Sequence, residues 1–252
     1  MIPLFVSDHS LTDSVLTIGF QSEKDRPDLN TPAPVGIFSI AAKHKLPRVV
    51  ITDSSISGFW SAFKTSKECG VPFTFGLKLC LCQNEEDKTP DSLRTESGII
   101  VFAKNSQGYK DLIAISSHAS LHGFYYRPRI GNTALKRLWT DNLTLGIPFY
   151  SSFIARNTLE YAHMATPEFP VVPTFFSERH GLPFEGLIQH YLNGYVDQSK
   201  QVKAHTVYYY SKAHARAHQA LKCIGKRSTL ECPNLEHYSS SRFGFDNFLE
   251  NS

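Results

Sequence analysis

Residues 48–82 spell a strand, a helix and a second strand in one pass, and this unit narrows the fold more than any bulk property does. The run RVVIT at 48–52 is β-branched and apolar, the pattern of a strand buried in a parallel sheet. Residues 58–69 follow with Phe59, Trp60, Ala62 and Phe63 as the expected inward face of a helix. Gly70 stands where a glycine ends such a helix, and residues 71–82 read as the next strand.

The rest of the chain repeats the theme. IPLFV at 2–6 reads as a first strand, with a short apolar run at 15–20 and a polar, proline-bearing connector at 21–34. Residues 35–46 carry a helical apolar face that Pro47 stops. A charged loop at 83–97 leads to a β-branched strand at 99–102, and residues 109–115 return to helical spacing. Further on, 132–138 and 185–196 read as helices, and 143–154, 171–176 and 201–210 as strands. Residues 211–223 read as a helix with Ser211 as its N-cap and Gly225 just past its end. Strands alternating with helices imply an α/β fold with a central parallel sheet or barrel. One domain over 1–252 is expected, with polar loops near 21–34 and 83–97.

A chain of 252 residues can bury roughly three quarters of its unfolded surface, so it needs neither disulfides nor metals to fold. A net charge of +3 permits contact with nucleic acid without arguing for it, because dedicated binders concentrate far more Lys and Arg on one face. Five cysteines without a small-framework pattern point to a reducing compartment. The N-terminus lacks the charged and apolar regions of a secretory signal, and no apolar run approaches the ~20 residues of a membrane span. A cytoplasmic protein without membrane contact is expected.

In parallel α/β folds, chemistry gathers at the C-terminal ends of strands. Asp53 follows RVVIT there, and Asp8, His9 and Asp13 follow the first strand. These residue types suit a metal site, but Asp in such a loop equally caps the next helix. His214 and His218 lie four apart on one helix face, yet no Glu completes a zinc-protease pattern, and a packing pair is the expected reading. There is no glycine-rich phosphate loop and no nucleophile elbow. Residues 123–131, GFYYRPRIG, set Phe124, Tyr125 and Tyr126 beside Arg127 and Arg129. Such a segment could stack on bases and clamp phosphate, or simply brace a loop.

Four segments carry a family resemblance. Residues 6–13 (VSDHSLTD) are similar to V-H-S-x-Y-S-x-x-D. Within residues 46–79, LPRVVITD and GVPFTFGLKL are similar to a strand ending in T-D-H and to G-I-x-P-I-x-G-x-E. AKNSQGYKDLIAIS and GFYYRPRIG, within 103–131, resemble A-x-N-x-x-G-Y-x-N-L and G-F-Y-Y-K-P-R-I-D. Within residues 202–242, YYYSKAHARAHQALKCIGKRSTLECPN fits the segment that comes after T-N-D-x-H-Y. Together these resemble the N-terminal PHP (polymerase and histidinol phosphatase) domain of bacterial DNA polymerase III alpha subunits.

The resemblance implies a distorted (β/α)7 PHP-type barrel with a metal cluster at the strand ends and, in intact members, phosphoesterase or 3′–5′ exonuclease activity. Carried over position by position, the family's H-x-H falls on Leu4 and Val6. Its T-D-H histidine falls on Ser54 beside Asp53, its G-x-E glutamate on Lys78, and its late aspartate and histidine near Thr206 and Tyr208. Of the usual ligands only Asp13 is kept. No metal, no cofactor and no catalysis are therefore expected, and the chain reads as a free-standing, degenerate PHP module without a polymerase palm. The first expectation is a structural or docking protein for a replicative polymerase subunit or its proofreading exonuclease, or a phage-encoded decoy or recruiter. A second is residual metal-dependent hydrolysis from a rearranged site of Asp8, His9, Asp13, Asp53 and His205. A third is direct DNA binding through Arg127, Arg129, Lys136 and Arg137, which with Tyr125 and Tyr126 are the candidate contacts to nucleic acid or to a partner.

Overall fold

The structure is a computed structural model and describes residues 1–19, 35–159, 165–231 and 240–251. The expected connector at 21–34 lies outside the described residues. The chain divides into two compact units, one of Met1–Phe75, Arg179–Leu182 and Ala204–Ser252, the other of Gly76–Glu178 and Pro183–Lys203.

In the first unit, strand β1 (Ile2–Phe5) lies between β2 (Val49–Asp53) and the end of β8 (Gln201–Val207), parallel to both. Helices α1 (Ile37–Lys43) and α2 (Phe59–Cys69) flank β2 in sequence, and α7 (Ala215–Lys226) and α8 (Phe245–Glu250) follow β8. The helix expected at 58–69 forms, and Gly70 ends it at φ 71°, a left-handed conformation that costs glycine no Cβ clash. Its inward face differs from the expected one. Ala62 and Thr65 are buried, whereas Trp60 is 69% exposed and Phe63 38%. At 100° per residue, positions 58, 62 and 65 share a side and 60, 63 and 67 take the opposite one, so apolar character alone misplaces the two rings.

In the second unit, β3 (Phe73–Cys82) continues from the first and pairs antiparallel with β4 (Ser97–Ala103) and parallel with β5 (Arg129–Gly131). β4 pairs antiparallel with β6 (Leu143–Ile147), which is parallel to β7 (Thr174–Ser177), and β7 is parallel to the start of β8. Helices α3 (Ser106–Leu121), α4 (Asn132–Leu138), α5 (Phe153–Leu159) and α6 (Glu185–Tyr195) connect them. The reversal at β4 follows from the connection before it. The 83–96 connection holds only a short 3₁₀ turn and lacks the helix that usually links parallel neighbours. The sheet is therefore mixed rather than parallel. Gly76 and Gly146 make room at its centre, where an added Cβ would lie 2.5 Å from Phe102 and 2.6 Å from Phe176.

Followed from strand to strand, the pairings run β2–β1–β8–β7–β6–β4–β3 and return to β2, with β5 added beside β3. Seven strands thus connect in a ring, and the α/β barrel class expected from the sequence is the class observed. The strand expected over 201–210 ends at Val207 and the one expected over 171–176 runs Thr174–Ser177, and two boundaries shift further. Pro148 follows β6, so the strand expected over 143–154 gives way to α5. Ser211 opens a 3₁₀ turn at Lys212–His214, and α7 then runs through Gly225 to end at Arg227, φ 51°.

Candidate functional site

The expected strand-end site is built in the first unit from the 7–15 loop, the end of β2 and helix α7. Leu4 and Val6 are buried, and Leu4 pairs in register with Thr206 across β1 and β8. Their side chains carry no donor or acceptor atom. Asp53 is fully buried at the end of β2. Its Oδ1 accepts from the Ser7 amide at 2.8 Å and the Ser10 hydroxyl at 3.1 Å, and its Oδ2 accepts from the Ser7 hydroxyl at 2.6 Å. The neighbouring Ser54 is exposed, and its backbone N–H donates to Ser10 Oγ at 2.9 Å. A buried carboxyl group needs hydrogen-bond partners, and here serines supply them.

Asp13 meets an ammonium group. Lys222 of α7 places Nζ 2.5 Å from Asp13 Oδ1, with the lysine side chain 11% exposed. Four residues earlier on the helix, His218 is buried and its Nε2 lies 2.9 Å from the Asp13 carbonyl oxygen. A carbonyl can only accept, so Nε2 carries the proton. Burial drives the His218 pKa down to about 4, and the Lys222 charge pushes the same way. The neutral ring stacks on Tyr208, with centroids 4.8 Å apart at 14°. Tyr208 itself is buried, as is Thr206.

The members of the alternative site go to separate partners. Asp8 is exposed, His9 Nδ1 meets Ser57 Oγ at 3.2 Å, and His205 Nε2 meets the Gly244 carbonyl at 3.2 Å. His214 meets Ser211 rather than sharing an ion with His218. Among the described residues, no group of three or more His, Cys, Asp or Glu is placed to hold a metal ion. Lys78 lies half-buried on β3 in the second unit, in register with Ile100 of β4. Nor does β3 offer a ready thiolate: burial pushes the Cys80 thiol up and that of Cys82 to about 11.

The 123–131 segment, also in the second unit, turns Arg129 inward and leaves Arg127 half-exposed. Arg129 is fully buried, with Nη1 3.2 Å from Glu96 Oε1 and 3.0 Å from Ser92 Oγ. Its other nitrogens donate to the Gly123 and Asp87 carbonyls, and its guanidinium lies 5.1 Å from the Tyr125 ring centre. Arg127 closes on Glu96 Oε2 at 2.5 Å. Lys136 pairs with Glu168 at 2.5 Å, while Arg137 and Tyr126 are exposed. Of the two readings left open for this segment, these contacts favour the brace: the buried Glu96 carboxylate pairs with both arginines.

Several of these groups escape a reading of the sequence. Ser7 and Ser10 are visible there only as loop serines. Glu96 sits in a stretch that reads as a charged loop, although two arginines flanking a proline near a buried strand call for an acid. Glu85 is in the same loop; its Oε1 bonds His118 at 2.7 Å and its Oε2 the Gly131 amide at 2.8 Å. Burial opposes its charge, but those two partners hold its carboxyl below the usual range. His180 is buried beneath Phe243, ring centres 3.8 Å apart, with His205 at 4.3 Å.

A family model described as the PHP domain matches residues 36–234. Among curated proteins, the chain is similar to the DNA polymerase III subunit alpha of Borreliella burgdorferi, at 27% identity over 205 residues, 75% of this chain and 18% of that protein. It is similar to the Thermus aquaticus protein of the same name at 28% over 213 residues, 78% of this chain and 17% of the relative. The Helicobacter pylori subunit is 32% identical over 89 residues, 35% of this chain and 7% of that protein. The chain spans less than a fifth of the length of the relatives it matches.

Proposed function

The chain belongs to the PHP domain family, and from that premise we propose that it is a non-catalytic PHP-like module of DNA replication, a structural or docking protein for a replicative polymerase subunit or its proofreading exonuclease. The observation that carries this reading is the state of the two surviving carboxylates. Asp13 is neutralised by Lys222 at 2.5 Å, and Asp53 is enclosed by Ser7 and Ser10.

The metal cluster that the fold family implies does not fit this donor set. A divalent ion needs several oxygen or nitrogen ligands. Leu4 and Val6 offer none, and an ion at Asp13 would have to displace an ammonium group. Fold and chemistry are specified by different residues, so a barrel can persist after its site has changed. Direct DNA contact through Arg127 and Arg129 is disfavoured by their pairing with Glu96.

Docking is tested by binding the purified chain to a purified polymerase III alpha subunit and to its proofreading exonuclease. Saturable binding to one of them is expected, and absence of binding to both overturns the reading. No helix among the described residues is long and apolar enough to cross a membrane.

A further inference from the structure

Helix α2 leaves its largest side chain in solvent. Trp60 is 69% exposed and Phe63 is 38% exposed, and their rings stack 5.8 Å apart at 25°. Phe59 lies 6.3 Å from Phe63 and packs on Phe73 and Phe75 at 5.5 and 5.6 Å, which anchors the aromatic row on the core. Lys67 Nζ stands 5.7 Å from the Phe63 ring centre, and Lys64 projects from the same side. Positions 60, 63, 64 and 67 follow the spacing of a helix face that lies in a groove. Held side chains lose little freedom on binding, which favours association.

The stretch of chain that carries this helix has an excess of positive charge. Residues 35–75 hold Lys43, Lys45, Arg48, Lys64 and Lys67, against Glu68 and the buried Asp53. A net of +3 over this stretch equals that of the whole chain. We infer that the outer face of α2 is a docking ridge, with Trp60 as its anchor, for an apolar groove with an acidic rim on a protein partner. This inference rests on the proposed docking role and assigns it a surface. Tryptophan is over-represented among residues that dominate binding energy, typically ringed by contacts that exclude water. Opposite charge around such an anchor speeds encounter and fixes orientation. A single strand of nucleic acid fits the ridge less well, because such ligands follow a basic groove along many phosphates. Here two lysines flank a convex ridge, and one of them, Lys64, shares its charge with Glu68 at 3.9 Å.

The test titrates the full-length chain, its Trp60→Ala variant and its Lys64→Glu/Lys67→Glu variant into the purified alpha subunit and the purified proofreading exonuclease. Leu187→Ser, on the exposed side of α6, serves as a surface control. Thermal melting of each variant is recorded first, and all should match the parent because the altered side chains are solvent-facing. For the partner that binds, Trp60→Ala should weaken affinity by about thirtyfold or more. Charge reversal should slow association by about tenfold at low salt, and Leu187→Ser should change neither. Should the parent bind and Trp60→Ala bind equally well, the inference is overturned while the docking role stands. Binding of neither protein by the parent overturns both. Quenching of Trp60 fluorescence by a single-stranded oligonucleotide, with salt-sensitive binding and no protein complex, also overturns it and reassigns the ridge to nucleic acid.

Discussion

Lys222 Nζ stands 2.5 Å from Asp13 Oδ1, and one helical turn earlier His218 donates to the carbonyl oxygen of the same aspartate. One residue of the 7–15 loop is thus held at two points by helix α7. Removing the ammonium leaves a partly buried carboxylate without its counter-charge, so Lys222→Met should lower unfolding free energy by about 1–3 kcal/mol. Asp13→Asn/Lys222→Met should recover part of that loss. Urea denaturation of the single and double variants measures the coupling, and strict additivity would show that the pair contributes nothing.

The burial of His218, with the Lys222 charge beside it, makes stability depend on pH in a defined direction. His218 titrates near 4 in the folded chain and near its ordinary 6.5 when unfolded. The unfolded state therefore binds the extra proton first. Stability from this group is complete above about pH 6.5, falls as pH drops toward 4, and levels off below that, at a total of about 3 kcal/mol. His218→Gln keeps a side-chain donor for the Asp13 carbonyl and removes the titration. Its denaturation midpoint should lose less on passing from pH 7 to pH 4.5 than that of the parent; parallel curves would contradict the assignment.

Glu96 serves two arginines, and its loss should be costly in proportion to burial. Arg129→Ala leaves that buried acid short of its innermost partner and should cost about 3–5 kcal/mol, or prevent folding outright. Arg127, half-exposed, should cost about 1 kcal/mol when changed to alanine. A platform for DNA predicts the reverse: variants that fold as well as the parent but lose affinity with a shallower salt dependence. Circular dichroism melts and a salt titration on duplex and single-stranded oligonucleotides separate the two.

Asp53→Asn exchanges a carboxylate for an amide among donors. One Ser7 contact then has to reorient its hydroxyl to accept, and a loss of about 1–3 kcal/mol is expected. Asp53→Ala, which leaves the Ser7 amide without this acceptor, should cost more. Differential scanning calorimetry of the two variants gives the order, and an alanine variant as stable as the parent would contradict a structural role.

The fold is legible where local pattern and burial agree. β-branched runs mark the strands β2 and β4, and the helices at 132–138 and 185–196 form within a residue of expectation, because their apolar spacing and termini act within the segment itself. What fails depends on distant partners. Trp60 and Phe63 count as core by composition, and only the helical phase set by Ala62 and Thr65 turns them outward. Arg129 looks like a surface cation because its acid, Glu96, lies 33 positions away. The loss of ligand types at Leu4 and Val6 is readable directly, whereas the capture of Asp13 by Lys222 joins residues 209 positions apart and emerges only from the fold.

The account stands or falls on the strand-end carboxylates serving the fold instead of metal ions. The direct measurement is the metal content of chelator-free protein from cells supplied with zinc, manganese and iron, read per folded chain by mass spectrometry. Well below about one ion per chain is expected, given so few ligands. Stoichiometric retention of two or more ions, with phosphoester hydrolysis that disappears when a chelator strips them, would contradict it.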